Sequence, residues 1–500
     1  MADTDAPGLQ VAWEPWSASA FARAAAERKP VLLSLTAFWC HGCDVMDTVT
    51  YADPRVATAI RDGFVPVRVD TDRRPDLNSR YNLDGWPTTA VLTPGGEILT
   101  GSTYLTPDAM LRMLASAGAA MKDRYDDLMA RAEQAATARR APAPTARYEP
   151  DGESPSWVVS RILDEEDREH GGFGAGGKFL PSAPLQLVLA CLAAAPDDRL
   201  PPLIVRTLDA VCWRGLFDEV DGGFFRYAAN RDFTRPHTEK LLEDQVALVP
   251  ILLEAAHRAG RPAYRRRAED VIRYVHRTLA DPAAGVFFAS QQSDEEYYAL
   301  SGSIRAAMEP PLVDRTAFTD LNAQAIAAWI EASRSLGDPE LERVAVRAAD
   351  RVLVPAWVPD EGLRHWAAAD APPALLTDQV HGARALLLLA SATGREQYLE
   401  LAAAVMATAL RRLWDERDGG FLDRPAAPGE IGLLRDARKP LALNSLAARV
   451  LWGLAHLTGQ PVLYTRARET LGALTAGYRS EGLGAAPYAQ AVLEVLGSTP

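Results

Sequence analysis

The chain has 500 residues, 48% of them hydrophobic and 24% charged, with a formal net charge of −13 and four cysteines. That length exceeds what one ordinary core absorbs, so two or more units are expected. The acidic balance argues against nucleic acid and anionic membrane surfaces, both of which recruit Lys/Arg clusters, and four cysteines cannot staple a fold of this size.

At the N-terminus, "MADTDAPGLQ" has neither a basic n-region nor an apolar h-region, so no secretory signal is read there. The longest apolar runs, such as "ALLLLA" at 385–390, fall far short of a membrane span. A reducing, cytoplasmic setting is the expectation. There a Cys-x-x-Cys pair is catalytic or metal-binding more often than structural.

"SASAFARAAAER" predicts a helix with Ser17 or Ser19 as N-cap, and "KPVLLSLTAFW" predicts a strand that runs into "CHGC", Cys40 to Cys43. A helix follows, then the strand "FVPVRVDTD" and the helix "RRPDLNSRYNLDG". Trp86-Pro87-Thr88 leads into the strand "TAVLTP", a Gly95-Gly96 turn and the strand "EILTGSTY", before a last helix that starts at Thr106-Pro107. A cysteine at a helix N-terminus faces the partial positive charge there, which favours thiolate. Cys40 is therefore read as the exposed attacking sulfur and Cys43, one turn on, as the resolving one. His41, when protonated, would stabilise the thiolate further. Three other readings stand beside this one: a metal site, an inert buried pair, and a redox-dead binding platform. Zinc needs four ligands, and no second Cys or His pair accompanies the first, so no metal and no cofactor is expected.

This order of elements resembles thioredoxin over residues 13–122, through Phe38-Trp39-Cys40 with Cys43, Val67-Arg68-Val69-Asp70 and Gly85-Trp86-Pro87-Thr88. The resemblance implies a cis-proline at Pro87 beside the cysteines, with the backbone before it pairing with an extended substrate. It also marks a departure. Thioredoxins carry a buried acid six residues before the first cysteine, and this chain has Ser34 there, which implies a slower reducing cycle. Cys191 and Cys212 lie alone in apolar helical segments and read as core.

Residues 130–156 are rich in Ala, Arg, Pro and Ser and read as a linker. Beyond them, long amphipathic patterns such as "DLNAQAIAAWIEASRSLG" alternate with turns of the form acidic–Gly–Gly–aromatic: "EHGGFG", "EVDGGFFRY", "PAAGVFFAS", "DEGLRHW" and "ERDGGFLD". About twelve helices in six pairs are expected, with the turns on one rim; the alternative is a generic α-solenoid.

The stretch from Trp39 to Tyr104, together with "GGFGAGGKF", "PHTEKLLEDQ", "FTDLNAQAIAAW" and "KPLALNSLAARVLWGLAHLTG", is similar to the spermatogenesis-associated thioredoxin-domain family. Where that family usually reads "CHWCHVM", this chain has Gly42 and Asp44. The resemblance implies a mixed α/β plus all-α chain: a thioredoxin-like fold over 1–125, a linker over 126–155, and an (α/α)6 toroid of the six-hairpin glycosidase type over 156–500. In such toroids the rim turns surround a funnel. Its candidate residues here are His237, Glu239, Lys240, Asp244, Asp320, Asn322, Asp378 and Asn444. Of these His237, Glu239, Asp244, Asp320 and Asp378 are expected to converge as a sugar-binding group. Glycoside cleavage needs two carboxyls about 5 to 9.5 Å apart. The bland reading of Asp320 and Asn444 is a helix cap. Trp213, Trp329, Trp366, Trp414 and Trp452 are read as sugar-stacking or, more simply, as core. The expected function is thiol–disulfide exchange with a protein or small-molecule partner at Cys40, His41, Cys43 and Pro87. The alternative is a carbohydrate-active or sugar-isomerising toroid with the first domain as a regulatory or binding module.

Overall fold

Strand β1 (Val31–Thr36) alternates its side chains between two apolar layers, and the first unit is built outward from it. Val31, Leu33 and Leu35 enter one layer, with Ala20 and Phe21 of α1 (Ala18–Glu27) and Leu77 and Tyr81 of α4 (Pro75–Tyr81). Leu32 enters the other, with Val56 and Ile60 of α3 (Pro54–Gly63) and Met110 and Leu114 of α5 (Pro107–Arg140). The sheet order is β2–β1–β3–β4, where β2 is Val65–Asp70, β3 is Thr88–Leu92 and β4 is Ile98–Ser102. Strand β1 is parallel to β2 and antiparallel to β3. This is the thioredoxin-like arrangement, in a computed structural model that describes residues 11–140, 148–368, 371–372 and 374–497. The expectations that fall on residues 1–10 and on 141–147 of the linker lie outside the described residues.

The predicted caps are present: Ser17 Oγ accepts from Ala20 N–H at 3.3 Å, and Pro107 opens α5. Helix α5 breaks at Arg124, where φ is −134°, and then runs on to Arg140, beyond residue 126, where the linker was expected to start. The reason is composition: "ARAEQAATARR" consists mostly of strong helix formers, and its Ala136 is buried.

By its contacts the chain divides into two units, residues 1–144 with 426–437, and 145–425 with 438–500. The second domain is therefore not the continuous stretch expected from 156 to 500. Residues 426–437 belong to the first unit, where Leu434 is buried in the layer beside Val31, Leu33 and Leu35. The Tyr81 hydroxyl accepts from Leu433 N–H at 2.9 Å and donates to Gly96 O at 2.7 Å. The Arg80 guanidinium donates to the carbonyls of Leu433 and Asp436, at 2.9 Å each.

In the second unit, twelve long helices among the described residues form six pairs. The inner helices are Ser182–Ala194, Leu242–Arg258, Thr319–Leu336, Leu376–Thr393, Leu441–Thr458 and Ala486–Gly497. Each packs on the next, and the last packs on the first, which closes the (α/α)6 ring. Among the described residues no helix is long and apolar enough to cross a membrane.

The rim turns share one construction. In three of them an aspartate N–H donates to the second glycine's carbonyl while its own carbonyl accepts from the first glycine: Asp167 with Gly171-Gly172, Asp218 with Gly222-Gly223, and Asp415 with Gly419-Gly420. All six glycines have positive φ, which only glycine adopts freely. A lysine closes each turn on its aspartate: Lys178 at 2.8 Å, Lys240 at 2.7 Å and Lys439 at 2.7 Å.

Candidate functional site

The two cysteines sit at the end of β1. Cys40 caps the helical turn α2 (His41–Val45), which continues through a wider π turn over Met46–Thr50. Cys40 and Cys43 are joined as a disulfide, and the Cys43 N–H points at Cys40 Sγ from 3.1 Å. Pro87 follows a cis peptide bond and lies against this turn: a Cβ on Gly42 would stand 3.0 Å from Pro87 Cδ. His41 is exposed. Cys40, expected to be exposed, is only 4% exposed, because its sulfur is turned inward to Cys43 and beneath its backbone amide. Trp39 beside it donates from Nε1 to Asp72 at 3.1 Å.

Ser34, in the place of the thioredoxin acid, is buried and pairs across the sheet with Thr89. The Tyr51 hydroxyl lies 2.9 Å from Thr89 Oγ1 and also bonds Ser34. Hydroxyls thus stand where thioredoxin carries a carboxyl. Burial raises the Tyr51 phenol above its ordinary range, so this network stays uncharged at neutral pH. Burial also pushes the Cys191 thiol up to about 11 and raises Cys212 further, which leaves both inert as nucleophiles.

In the toroid, the chemistry gathers at the first turns of the inner helices. Asp378 is fully buried, and the His365 Nδ1 lies 2.9 Å from its Oδ1. Asp320 Oδ1 is 3.9 Å from the same nitrogen, and Asp320 Oδ2 accepts from Thr377 Oγ1 at 3.0 Å. Burial pushes the Asp378 carboxyl up to about 6, against the pull of His365. Glu243 opens to solvent, yet its carboxyl is raised, first by desolvation among the helix starts around it and then by the charge of Asp320. Asp244 is held well above the carboxylate range by burial and then by Glu243, and its Oδ2 has no hydrogen-bond partner. Burial pushes the His381 imidazole down to about 4, so it is neutral at pH 7, and its Nδ1 is likewise unpartnered. Among the described residues, Asp320, His365 and Asp378 bring three metal-ligand atoms within 4.8 Å of one another.

His381 lines a cavity of about 610 Å³ that follows the inner helices, with Gln186, Gln324, Glu331, Arg384 and Arg449 on its walls. Glu239 is buried and meets Arg226 at 3.4 Å. Arg226 in turn reaches the charges of Glu243 and Asp244. Of the expected group, Glu239, Asp244, Asp320 and Asp378 thus belong to one electrostatic cluster. His237 is exposed on a strand beside it, stacked 4.1 Å from Tyr227, and has no ion pair with the cluster's carboxyls among the described residues.

Lys240, Asn322 and Asn444 have structural partners. Lys240 is fully buried among Phe225, Tyr274 and Tyr298, and Asn322 and Asn444 hold turn backbones. Trp329 is core and Trp213 is 43% exposed. Sequence reasoning missed Arg226, Glu243, His365 and His381. The signal for His381 was available, since it follows Asp378 by three residues on one helix face.

Residues 5–139 match the Thioredox_DsbH family model, described as "Protein of unknown function, DUF255". The chain is 28% identical over 313 residues to spermatogenesis-associated protein 20 of Mus musculus, covering 57% of this chain and 39% of that one. It thus spans about two fifths of that curated relative. The toroid is similar in fold to a sugar epimerase from a ruminal bacterium (TM-score 0.52, 14% identity, 65% of this chain and 85% of that one). It is also similar to a D-mannose isomerase (TM-score 0.51, 12% identity, 64% and 85%). At these identities the likeness is one of fold alone.

Proposed function

Because this chain resembles the spermatogenesis-associated thioredoxin-domain family in sequence and in both folds, we propose that it exchanges thiols and disulfides with a partner protein or small molecule through Cys40 and Cys43. The observation that carries this is the Cys40–Cys43 disulfide at the head of a helical turn, with a backbone N–H aimed at Cys40 Sγ. That N–H and the other free amides of the turn favour negative charge on Cys40 once the pair is reduced. In the reducing direction, Cys40 thiolate attacks one sulfur of a partner disulfide and expels the other as thiolate. Cys43 then loses its proton and attacks Cys40 Sγ, which releases the second partner thiolate. Two electrons leave the dithiol, and the disulfide seen here is its oxidised end. Exchange in the opposite direction reverses these steps.

The test is a titration of free thiols in glutathione buffers. One reversible two-electron transition is expected in the wild type, and Cys43→Ser should accumulate a mixed disulfide on Cys40. Thiols that stay unreactive in the folded protein would reject the proposal.

A second reading has its own support: the toroid acts on a carbohydrate. A neutral imidazole (His381) lines the cavity, and the charge of Asp320 reaches both it and Glu243, a carboxyl raised above its ordinary range; an imidazole beside carboxyls is the acid–base complement that sugar isomerisation or glycosidic cleavage requires. The sugar epimerase and the mannose isomerase of like fold act on the same class of molecule. Saturation-transfer NMR with neutral sugars checks it, with Asp320→Asn and His381→Gln expected to lose the signal. No transfer to any sugar in the wild type would remove this reading.

A further inference from the structure

Beside the carboxyl cluster, three short strands form a small sheet in the order β5–β6–β7: Lys178–Phe179, Tyr227–Ala228 and Pro236–His237. Its register places Phe179, Tyr227 and His237 side by side on one face. Their rings are nearly parallel. Phe179 and Tyr227 stack at 4.6 Å and 9°, and Tyr227 and His237 at 4.1 Å and 10°. This is no core contact: Phe179 is 61% exposed and His237 is exposed as well. One face of the Phe179 ring is thereby left open at the end of the stack.

What could cover it is constrained by the neighbours. Arg226 precedes Tyr227, and its guanidinium meets Glu239, two residues after His237. The charge of Glu239 reaches Tyr227, and that of Arg226 reaches Glu243 and Asp244. The ring stack therefore adjoins the acidic cluster at the head of the cavity. That cluster gathers five carboxyls (Glu239, Glu243, Asp244, Asp320 and Asp378), and the two guanidiniums that reach it are each engaged by a carboxylate already, Arg226 by Glu239 and Arg384 by Glu331. An anionic sugar, phosphorylated or uronic, would be repelled there. A neutral sugar offers hydroxyls to carboxyls and an apolar C–H face to an aromatic ring.

Resting on the second reading above, we propose that the toroid takes a neutral saccharide chain of two or more hexose units. One unit lies at the Glu243–Asp320–His381 cluster, and the next stacks on the open end of the Phe179–Tyr227–His237 ring column, against the outer face of Phe179.

The experiment is calorimetric titration of the full chain with neutral hexose oligomers of one to four units, and with a hexose phosphate and a uronic acid. Affinity should rise about tenfold between the monomer and the longer oligomers, the size of one good ring-stacking contact. Phe179→Ala should lose most of that increment while changing monomer affinity less than about twofold, and His237→Ala should act in the same direction. Both residues are exposed, and thermal unfolding verifies that the variants fold. Monomer binding without length dependence, length dependence untouched by both variants, or binding of the anionic sugars would overturn the proposal and leave the second reading standing. No binding of any sugar would overturn both.

Discussion

Asp378 is a carboxyl with no exposed surface, and burial raises its pKa from 3.8 to about 6. The folded protein therefore binds this proton more tightly than the unfolded chain does. The stabilisation is fully present below the unfolded value and is lost as pH rises through about 6. Asp378→Asn stays neutral throughout. Between pH 4 and pH 7 the wild type should lose up to about 3 kcal/mol relative to Asp378→Asn. Urea unfolding across that range measures it, and a pH-independent gap would show that the Asp378 proton is not linked to folding. At the dithiol the decisive residue is Ser34. In the place of the thioredoxin acid stand the hydroxyls of Ser34, Tyr51 and Thr89, and the carboxyl whose charge reaches that network, Asp47, is held by Arg68. Ser34→Asp is expected to raise the rate of disulfide reduction at pH 7 by about 10-fold or more, the low end of what a positioned base contributes. An unchanged rate in stopped-flow thiol assays would count against that role.

Between the residues and the ring stands a repeated device. Four inner helices begin with an amide side chain that clasps the backbone of the preceding turn: Gln245 on Phe224, Asn322 on Phe287, Gln379 on Leu363 and Asn444 on Phe421. In each the side-chain oxygen accepts the N–H and the nitrogen donates to the C=O. Gln379→Ala strands both buried groups of Leu363 and should cost about 1–3 kcal/mol for each. Gln379→Glu keeps only an acceptor and should fall between that variant and the wild type in thermal unfolding; a loss equal to that of Gln379→Ala would mean the two bonds do not act separately.

The helices and Gly-Gly turns were readable in the sequence because periodicity and positive φ leave local marks. The clasps were not, because an Asn or Gln at a helix start looks like a cap until the turn it grips is known. The same holds for the site. Asp320 and Asp378 stood out as acids near helix starts, whereas His365 becomes a partner of Asp378 only when a turn and the following helix are brought together.

On the scale of the entire chain, the first unit borrows part of its core. Leu434→Ala should cost that unit about 2–4 kcal/mol, read as faster amide hydrogen exchange in β1 and β3 with the inner toroid helices unaffected. Exchange unchanged in β1 would show that the borrowed segment contributes nothing. No sequence pattern announced this, since "PGEIGLLRD" reads as a loop and its partner Arg80 lies 353 residues from Leu433. The arrangement also has a consequence in time. A ribosome finishes residues 1–144 first, yet Leu434 emerges on the order of 290 residues later, about 15–60 s at ordinary bacterial or eukaryotic elongation rates. For that interval the nascent thioredoxin-like unit presents an open apolar layer, with the Tyr81 hydroxyl and the Arg80 guanidinium still lacking their Leu433 and Asp436 partners. Its folding is set by translation of the toroid, so ribosome-bound chains stalled before residue 426 should be cleaved by protease within β1–β3, and chains stalled well beyond residue 437 should resist.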